Sequence, residues 1–502
     1  MKLLLAIGLL AAPALFSEAK AATCESLATL ALSNATVTLA QPVAAGEFTP
    51  PGRTFPGTPA SAVAMKDLPA FCRVAATLRP SDDSDIKIEV WLPESGWNGR
   101  FEAEGNGGWA GAISYGAMAV ALDDGYATAS TDTGHVGGSG SFALGHPEKV
   151  IDFGWRSEHE MTVKAKAIIK AFYGGQAQLS YWNGCSTGGR QGLKEAQRFP
   201  DDYDGIAAGA PANPRTHLAF AALWIAHANL KNPGGYIPPA KYPAIHRAVL
   251  QACDALDGLK DGLIADPTRC HFDPETIACK GADTSECLTA PQIEMVKTIL
   301  APSRNPRTGE AIFPGLEPGS ELGWAVMAGP QPFPVTTDHF KYVVFQNPDW
   351  DWKNLNFDSD VALADQIDHE TINATDADLK PFFSRNGKLL LYHGWEDQNV
   401  APLATVDYYK RVVDTVGERQ AKDSIRLFMA PGMAHCGGGD GPNSFDMMSA
   451  LAAWRKNDHA PQKIIASRNG RTRPLCPYPQ VAKYKGTGSI DDAANFVCET
   501  EK

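Results

Sequence analysis

The chain has 502 residues, 44% apolar and 20% charged, with a formal net charge of −12 at pH 7 and ten cysteines. Such a composition excludes wholesale disorder and fibrous repeats, and the length allows roughly two to four domains of ordinary size. An acidic balance without a Lys/Arg run argues against nucleic acid and against anionic membrane surfaces as partners.

Lys2 gives a short positive start, Leu3 to Phe16 is apolar and uncharged, and Ala19-Lys20-Ala21 reads as a cleavage signature. The run is shorter than a membrane helix requires, so residues 1–21 are expected to be a signal peptide for secretion or periplasmic export. All ten cysteines follow it, and an even number in an oxidising compartment predicts disulfides. Further on, Ile86–Leu92, Arg100–Glu104 and Tyr126–Thr131 are β-rich runs between Gly/Asp turns. Glu158 to Phe172 has helical spacing, with Val163, Ile168 and Ile169 predicted on one side. Leu179–Asn183 reads as a buried strand and Thr187–Arg198 as a helix. Strands alternating with helices predict a mostly parallel α/β sheet.

From about Pro211 to Leu379 the alternation stops, in a segment rich in Pro, Asn, Gly and aromatics. It then resumes with strand Lys388–Tyr392, helix Leu403–Val416, strand Ile425–Met429 and helix Phe445–Lys456. The reading is an α/β domain over 22–210 and 380–502, interrupted by a lid domain over 211–379.

Gly184-Cys185-Ser186-Thr187-Gly188 is a G-x-S-x-G motif with a strand entering and a helix leaving, the context of a nucleophile elbow. In α/β-hydrolases the acid and then the histidine follow on loops after later strands. Strand Lys388–Tyr392 leads to Asp397, and strand Ile425–Met429 leads to His435. Asp397 would orient the His435 ring, and His435 would take the Ser186 proton. Glu396 is the rival acid and His393 the rival base. Negative charge developing on the substrate needs donors. The amide of Thr187 is one, and Gly108, in the loop Gly105-Asn106-Gly107-Gly108-Trp109 after strand Arg100–Glu104, is the second.

Cys185 precedes the proposed nucleophile and Cys436 follows the proposed base. If Ser186 and His435 are hydrogen-bonded, those cysteines lie a few ångströms apart, within reach of a disulfide. Two buried free thiols are the alternative.

These residues, Gly184-Cys185-Ser186-Thr187-Gly188-Gly189-Arg190 with Asp397 and His435-Cys436, resemble the CS-D-HC motif of the tannase/feruloyl esterase family. The resemblance extends through Trp97-Asn98-Gly99-Arg100-Phe101, Cys253-Asp254-Ala255-Leu256-Asp257-Gly258-Leu259 and Arg473-Pro474-Leu475-Cys476-Pro477-Tyr478-Pro479. It implies an α/β-hydrolase domain with a large inserted lid that carries structural calcium, and no organic cofactor. It also implies the disulfides Cys24–Cys72, Cys185–Cys436, Cys253–Cys270, Cys279–Cys287 and Cys476–Cys498. Asp254, Asp257 and Asp261, with the carbonyls of Leu259 and Leu263, would supply the hard oxygen ligands that suit calcium. Zinc lacks support, since the chain has no C-x-x-C pair and no H-E-x-x-H.

Trp324, Phe333, Phe340, Tyr342, Phe345, Trp350, Trp352 and Phe357 form a dense aromatic stretch, most of it expected to pack the lid core. No arginine lies between Arg307 and Arg385, which disfavours terephthalate monoesters relative to hydroxycinnamate or gallate esters. The expected function is a secreted serine esterase that acts on small aromatic esters, of plant cell-wall or tannin origin, through an acyl-enzyme. A tannase, a hydrolase of terephthalate monoesters, a peptidase with the same triad, or a binding protein on a hydrolase scaffold are the alternatives. Oligomeric state is not legible in the sequence.

Overall fold

A computed structural model describes residues 22–51 and 63–500, so the predicted signal peptide, residues 1–21, lies outside the described residues. Nine strands form one sheet: β1 (Ala35–Val43), β2 (Phe71–Leu78), β3 (Ile86–Pro93), β4 (Arg100–Glu104), β5 (Ala127–Thr131), β6 (Leu179–Cys185), β7 (Gly205–Gly209), β8 (Lys388–Gly394) and β9 (Ile425–Ala430). Their spatial order is β1-β2-β3-β5-β4-β6-β7-β8-β9. From β5 to β9 every neighbouring pair is parallel, while β1, β2, β3 and β5 pair antiparallel. The expectation of a mostly parallel sheet therefore needs an antiparallel edge added to it.

Both faces of the parallel strands are buried. Along β7, Ile206 and Ala208 enter one apolar cluster while Ala207 enters another. Leu389 and Leu391 against Leu390 repeat this on β8, as do Leu427 and Met429 against Phe428 on β9. Alternate residues point to opposite faces, so a strand covered on both sides reads as a continuous apolar run. Helix α1 (Tyr115–Asp123) and helix Met447–Asn457 cover one face; α2 (Ser157–Tyr173), α3 (Thr187–Arg198) and helix Pro402–Val416 cover the other. On α2 the buried stripe is Met161, Ala165, Ile168 and Ile169, spaced i, i+4, i+7, i+8, and each such apolar side chain stabilises by roughly 1.5–3 kcal/mol. Val163 lies off that stripe and is exposed, which corrects the predicted face.

Among the described residues, 211–379 adds no strand to this sheet. It starts with helix α4 (Arg215–Lys231) and builds two apolar clusters. One holds Ile245, Val249, Val296 and Trp324 and runs on into Val400, Ala401 and Ala404; the other holds Phe220, Leu223, Phe340 and Phe357. Phe345, Trp350 and Trp352 pack partly against the second cluster, so most of the aromatic stretch is core. The insert also grips α3 from outside. Arg190 donates to the carbonyls of Ile372 (3.1 Å) and Gly154 (2.7 Å), and Lys194 donates to those of Glu370 (2.7 Å) and Asn373. The helix that follows Ser186 is thereby held between sheet and insert.

Candidate active site

Ser186 sits at the junction of β6 and α3 with φ 63° and ψ −120°, a conformation that L-residues adopt only under constraint. Its amide donates to Gly209 O (2.9 Å), and its carbonyl accepts from the Ala212 amide (3.1 Å). The turn closes only because its neighbours lack side chains. A Cβ on Gly184 would stand 2.6 Å from the backbone of Gly188, and one on Gly105 would stand 2.6 Å from Gly188 Cα. That second approach presses the glycine-rich loop against the elbow.

The contact orients the two predicted donors. Thr187 Oγ1 donates to Gly108 O at 2.9 Å, and Gly108 has φ +57°. Among the described residues, neither the Thr187 nor the Gly108 amide donates a hydrogen bond, so both remain available beside Ser186. Asn106 anchors the loop by donating to Thr131 O (2.9 Å) and Ala112 O (3.0 Å), and Gln191 of α3 accepts from the Asn106 amide (2.9 Å). Asn106 lies in the predicted glycine-rich loop, but its anchoring role and its partner Gln191 carry no signal in the sequence.

Asp397 and His435 meet as the strand order requires. His435 Nδ1 lies 2.6 Å from Asp397 Oδ2. The other carboxylate oxygen accepts from the amides of Asn399 (2.7 Å) and Val400 (2.9 Å). His393 is also on Asp397, with Nε2 2.9 Å from Oδ2 and Nδ1 2.8 Å from Thr405 Oγ1. A carboxylate only accepts, so the His393 proton belongs on Nε2 and the Thr405 hydroxyl donates to Nδ1. Burial alone would raise the fully buried Asp397 carboxyl, but the His435 charge and the two imidazole donors outweigh it and hold it well below the usual range. His393 thus braces the acid, with both of its ring nitrogens engaged by groups other than Ser186.

Glu396 points elsewhere. It accepts from the Asp440 amide (3.3 Å), and burial, with Asp440 adding like charge, pushes its carboxyl up to about 8. Cys185 and Cys436 are joined, with Cα atoms 6.0 Å apart, which ties the residue before Ser186 to the residue after His435. Among the described residues no hydrogen bond links Ser186 to His435; such contacts commonly tighten only with substrate. The other four disulfides are Cys24–Cys72, Cys253–Cys270, Cys279–Cys287 and Cys476–Cys498, leaving no free cysteine.

The acidic loop of the insert folds back on its own amides. Asp254 accepts from Asp261 (3.1 Å) and Gly262, Asp257 from Leu259 (2.9 Å), and Asp261 from Leu263 (3.2 Å). Asp261 is also clamped by Arg471 (2.8 Å) and Arg473 (2.5 Å), partners that the local motif does not announce. The carbonyls of Leu259 and Leu263 accept no hydrogen bond among the described residues. Asp257 and Asp261 are pushed above the usual carboxylate range, first by burial and then by neighbouring acids. Three carboxylates and two unclaimed carbonyls are oxygens of the type calcium takes, but among the described residues the three carboxylates do not converge on one point, and Arg471 and Arg473 already pair with Asp261.

No helix of the described residues is long and apolar enough to cross a membrane. Residues 72–499 match the family model described as tannase and feruloyl esterase. An uncharacterized esterase of Xanthomonas campestris pv. campestris is 39% identical, over 99% of this chain and 94% of that protein. A probable feruloyl esterase B-2 of Neosartorya fischeri is 36% identical, over 85% of this chain and 86% of its own length. The crystal structure of feruloyl esterase B from Aspergillus oryzae superposes with a TM-score of 0.87 at 34% identity, covering 95% of this chain and 99% of that one. Tannin acyl hydrolase from Aspergillus niger shares the fold, with a TM-score of 0.77 at 22% identity over 94% of this chain and 92% of its own. The chain therefore belongs to the tannase and feruloyl esterase family and is a carboxylic ester hydrolase with an α/β-hydrolase fold.

Proposed function

We propose that this is a secreted serine esterase that releases ferulate-like or gallate-like aromatic acids through an acyl-enzyme. One observation carries the reading: Ser186 stands on a strained elbow, and a disulfide staples that elbow to the His435 loop, whose ring Asp397 holds.

In this mechanism Ser186 Oγ attacks the ester carbonyl while His435 takes its proton. The tetrahedral oxyanion accepts from the Thr187 and Gly108 amides, and Asp397 stabilises the imidazolium. The C–O bond breaks, and His435 gives the proton to the departing alkoxide. Water then attacks the acyl-enzyme with His435 as base, freeing the acid and restoring Ser186. Asp254, Asp257 and Asp261 with the carbonyls of Leu259 and Leu263 would hold calcium, whose contribution is to order the insert. Five disulfides and the predicted leader support export, and the similarity to feruloyl esterases supports an aromatic acyl group.

Ser186→Ala should abolish hydrolysis of methyl ferulate and methyl gallate and labelling by a fluorophosphonate, with an unchanged melt. Residual full activity in that variant would remove Ser186 from the mechanism, and failure of the wild type to react with the fluorophosphonate would favour a binding protein.

A further inference from the structure

Apart from the active site and the acidic loop, three side chains able to ligate a metal meet: His159 of α2, Glu195 of α3 and Asp202 of the turn between α3 and β7. One nitrogen of His159 and one carboxylate oxygen each of Glu195 and Asp202 all lie within 4.8 Å of one another. His159 Nδ1 stands 2.6 Å from Asp202 Oδ2. Glu195 is 1% exposed, and neither of its carboxylate oxygens has a hydrogen-bond partner among the described residues. The group opens to solvent on its other side, where the side chain of His159 is 27% exposed and that of Asp202 12%.

Each of the three is held from outside the cluster. Phe199 stacks on the His159 ring, with centroids 3.8 Å and planes 11° apart. The Phe199 amide donates to Glu195 O and the Asp202 amide donates to Phe199 O, both at 2.9 Å, which fixes Glu195 and Asp202 relative to each other. The charged groups that face Glu195 are Asp202, Glu158 and Lys166, with Tyr203 beside them. All but Asp202 are committed elsewhere. Glu158 accepts from Ser157 Oγ (3.0 Å) and Gln191 Nε2, Lys166 donates to the backbone carbonyl of Asp202, and the Tyr203 hydroxyl meets Thr162 Oγ1. Arg385, which faces Lys166, pairs with Asp201. Burial, then the charges of Asp202 and Glu158, pushes the Glu195 carboxyl well above the usual range.

A buried carboxylate that no donor reaches is costly, and either of two partners relieves it: a proton shared with Asp202, or a metal ion taken by the whole group. The imidazole favours the metal. A shared proton needs only the two acids, whereas one imidazole nitrogen with two carboxylate oxygens is a set that zinc takes, leaving its fourth position to water. Phe199 orients the ring as the outer partners of metal-bound histidines do. Zinc ligands about 2.0–2.2 Å from the ion stand no more than about 4.4 Å from one another, so small side-chain adjustments close this set. We propose that His159, Glu195 and Asp202 form a binding site for a zinc-type divalent cation, which ties α2, α3 and the turn into β7 together. Because α3 starts at Ser186, the ion braces the far end of the helix that leaves the elbow. The ligands come from three separate elements, so no local spacing announces them.

The test keeps this metal apart from the calcium expected in the insert. Full-length protein is stripped of metal, held in millimolar calcium and titrated with zinc chloride in a calorimeter. A single zinc per chain should bind with a Kd of roughly micromolar or tighter. Zinc at about a hundredfold excess over that Kd should raise the melting temperature by about 2 °C or more. Glu195→Gln and His159→Gln should each weaken zinc binding by roughly a hundredfold and remove the rise in melting temperature. In calcium alone, Glu195→Gln should melt no lower than wild type, because a neutral amide of the same shape replaces an acid that burial already keeps from ionising. His159→Gln alters a partly exposed side chain, so it reports on the site even if the change at Glu195 spoils the fold. Absence of zinc binding by the wild type overturns the site and leaves Glu195 and Asp202 with a shared proton. Binding that survives both substitutions places the ion elsewhere and overturns it equally.

Discussion

The sheet and the insert solve the same problem in different ways. In the sheet, alternate side chains of β7, β8 and β9 enter two apolar layers, and Asp397, on the loop after β8, engages four donors. The insert adds no strand to that sheet and relies on packed helices, two disulfides and an acidic loop that folds back on its own amides. Saturated polar groups give a fixed geometry, which bond-breaking chemistry requires. The sheet thus fixes the groups by long-range packing, while the insert is held by local staples.

The sharpest way to break this contrast is to spoil the hydrogen bonds of Asp397 on the sheet side. Asp397→Asn should lower kcat by about 10³–10⁴-fold, because an amide presents the wrong group to His435 Nδ1, while KM changes little. Steady-state kinetics on methyl ferulate would check it, and a loss confined to KM would contradict the contrast. Next comes the insert. Chelation should lower the melting temperature of the insert by about 2–4 °C for each ~1 kcal/mol that bound calcium contributes, and should speed amide exchange in residues 253–270 while the β6–β9 amides stay protected. Equal exchange in both regions would show that the insert is not separately ordered.

The smallest effect concerns Glu396, buried between the two regions and pushed up to about 8 by burial and Asp440. A carboxyl with a raised folded pKa contributes stability that is fully present below its unfolded value of about 4.5 and lost as pH rises through about 8. Glu396→Gln cannot ionise, so its melting temperature should fall less than that of wild type between about pH 5 and 9. Parallel wild-type and variant curves would count against this assignment.

Motif-bearing parts of the site were legible in the sequence because the chemistry fixes residue type and strand context together. Gly184 to Gly188, Asp397 and His435 each follow a recognisable apolar run. β7 was not legible, since Gly205-Ile206-Ala207-Ala208-Gly209 has weak strand propensity. Its small residues make sense only beside Tyr392, whose ring a Cβ at Gly209 would meet at 2.1 Å. Nor could spacing reveal that His393 would brace Asp397 or that Arg471 and Arg473 would grip Asp261, 210 and 212 residues away. Those contacts belong to tertiary packing, where separation along the chain carries no signal.

The Cys185–Cys436 bond spans 251 positions, so the whole insert lies inside one covalent ring. A protease that cuts anywhere between those cysteines opens the ring without separating its halves. The elbow and the histidine loop would stay on one molecule, bound through sulfur instead of peptide. A molecule nicked in its insert, the region with the most irregular backbone, would therefore keep its reacting groups tethered to each other. Reduction has the opposite effect: it leaves every peptide bond intact and frees the two loops from each other.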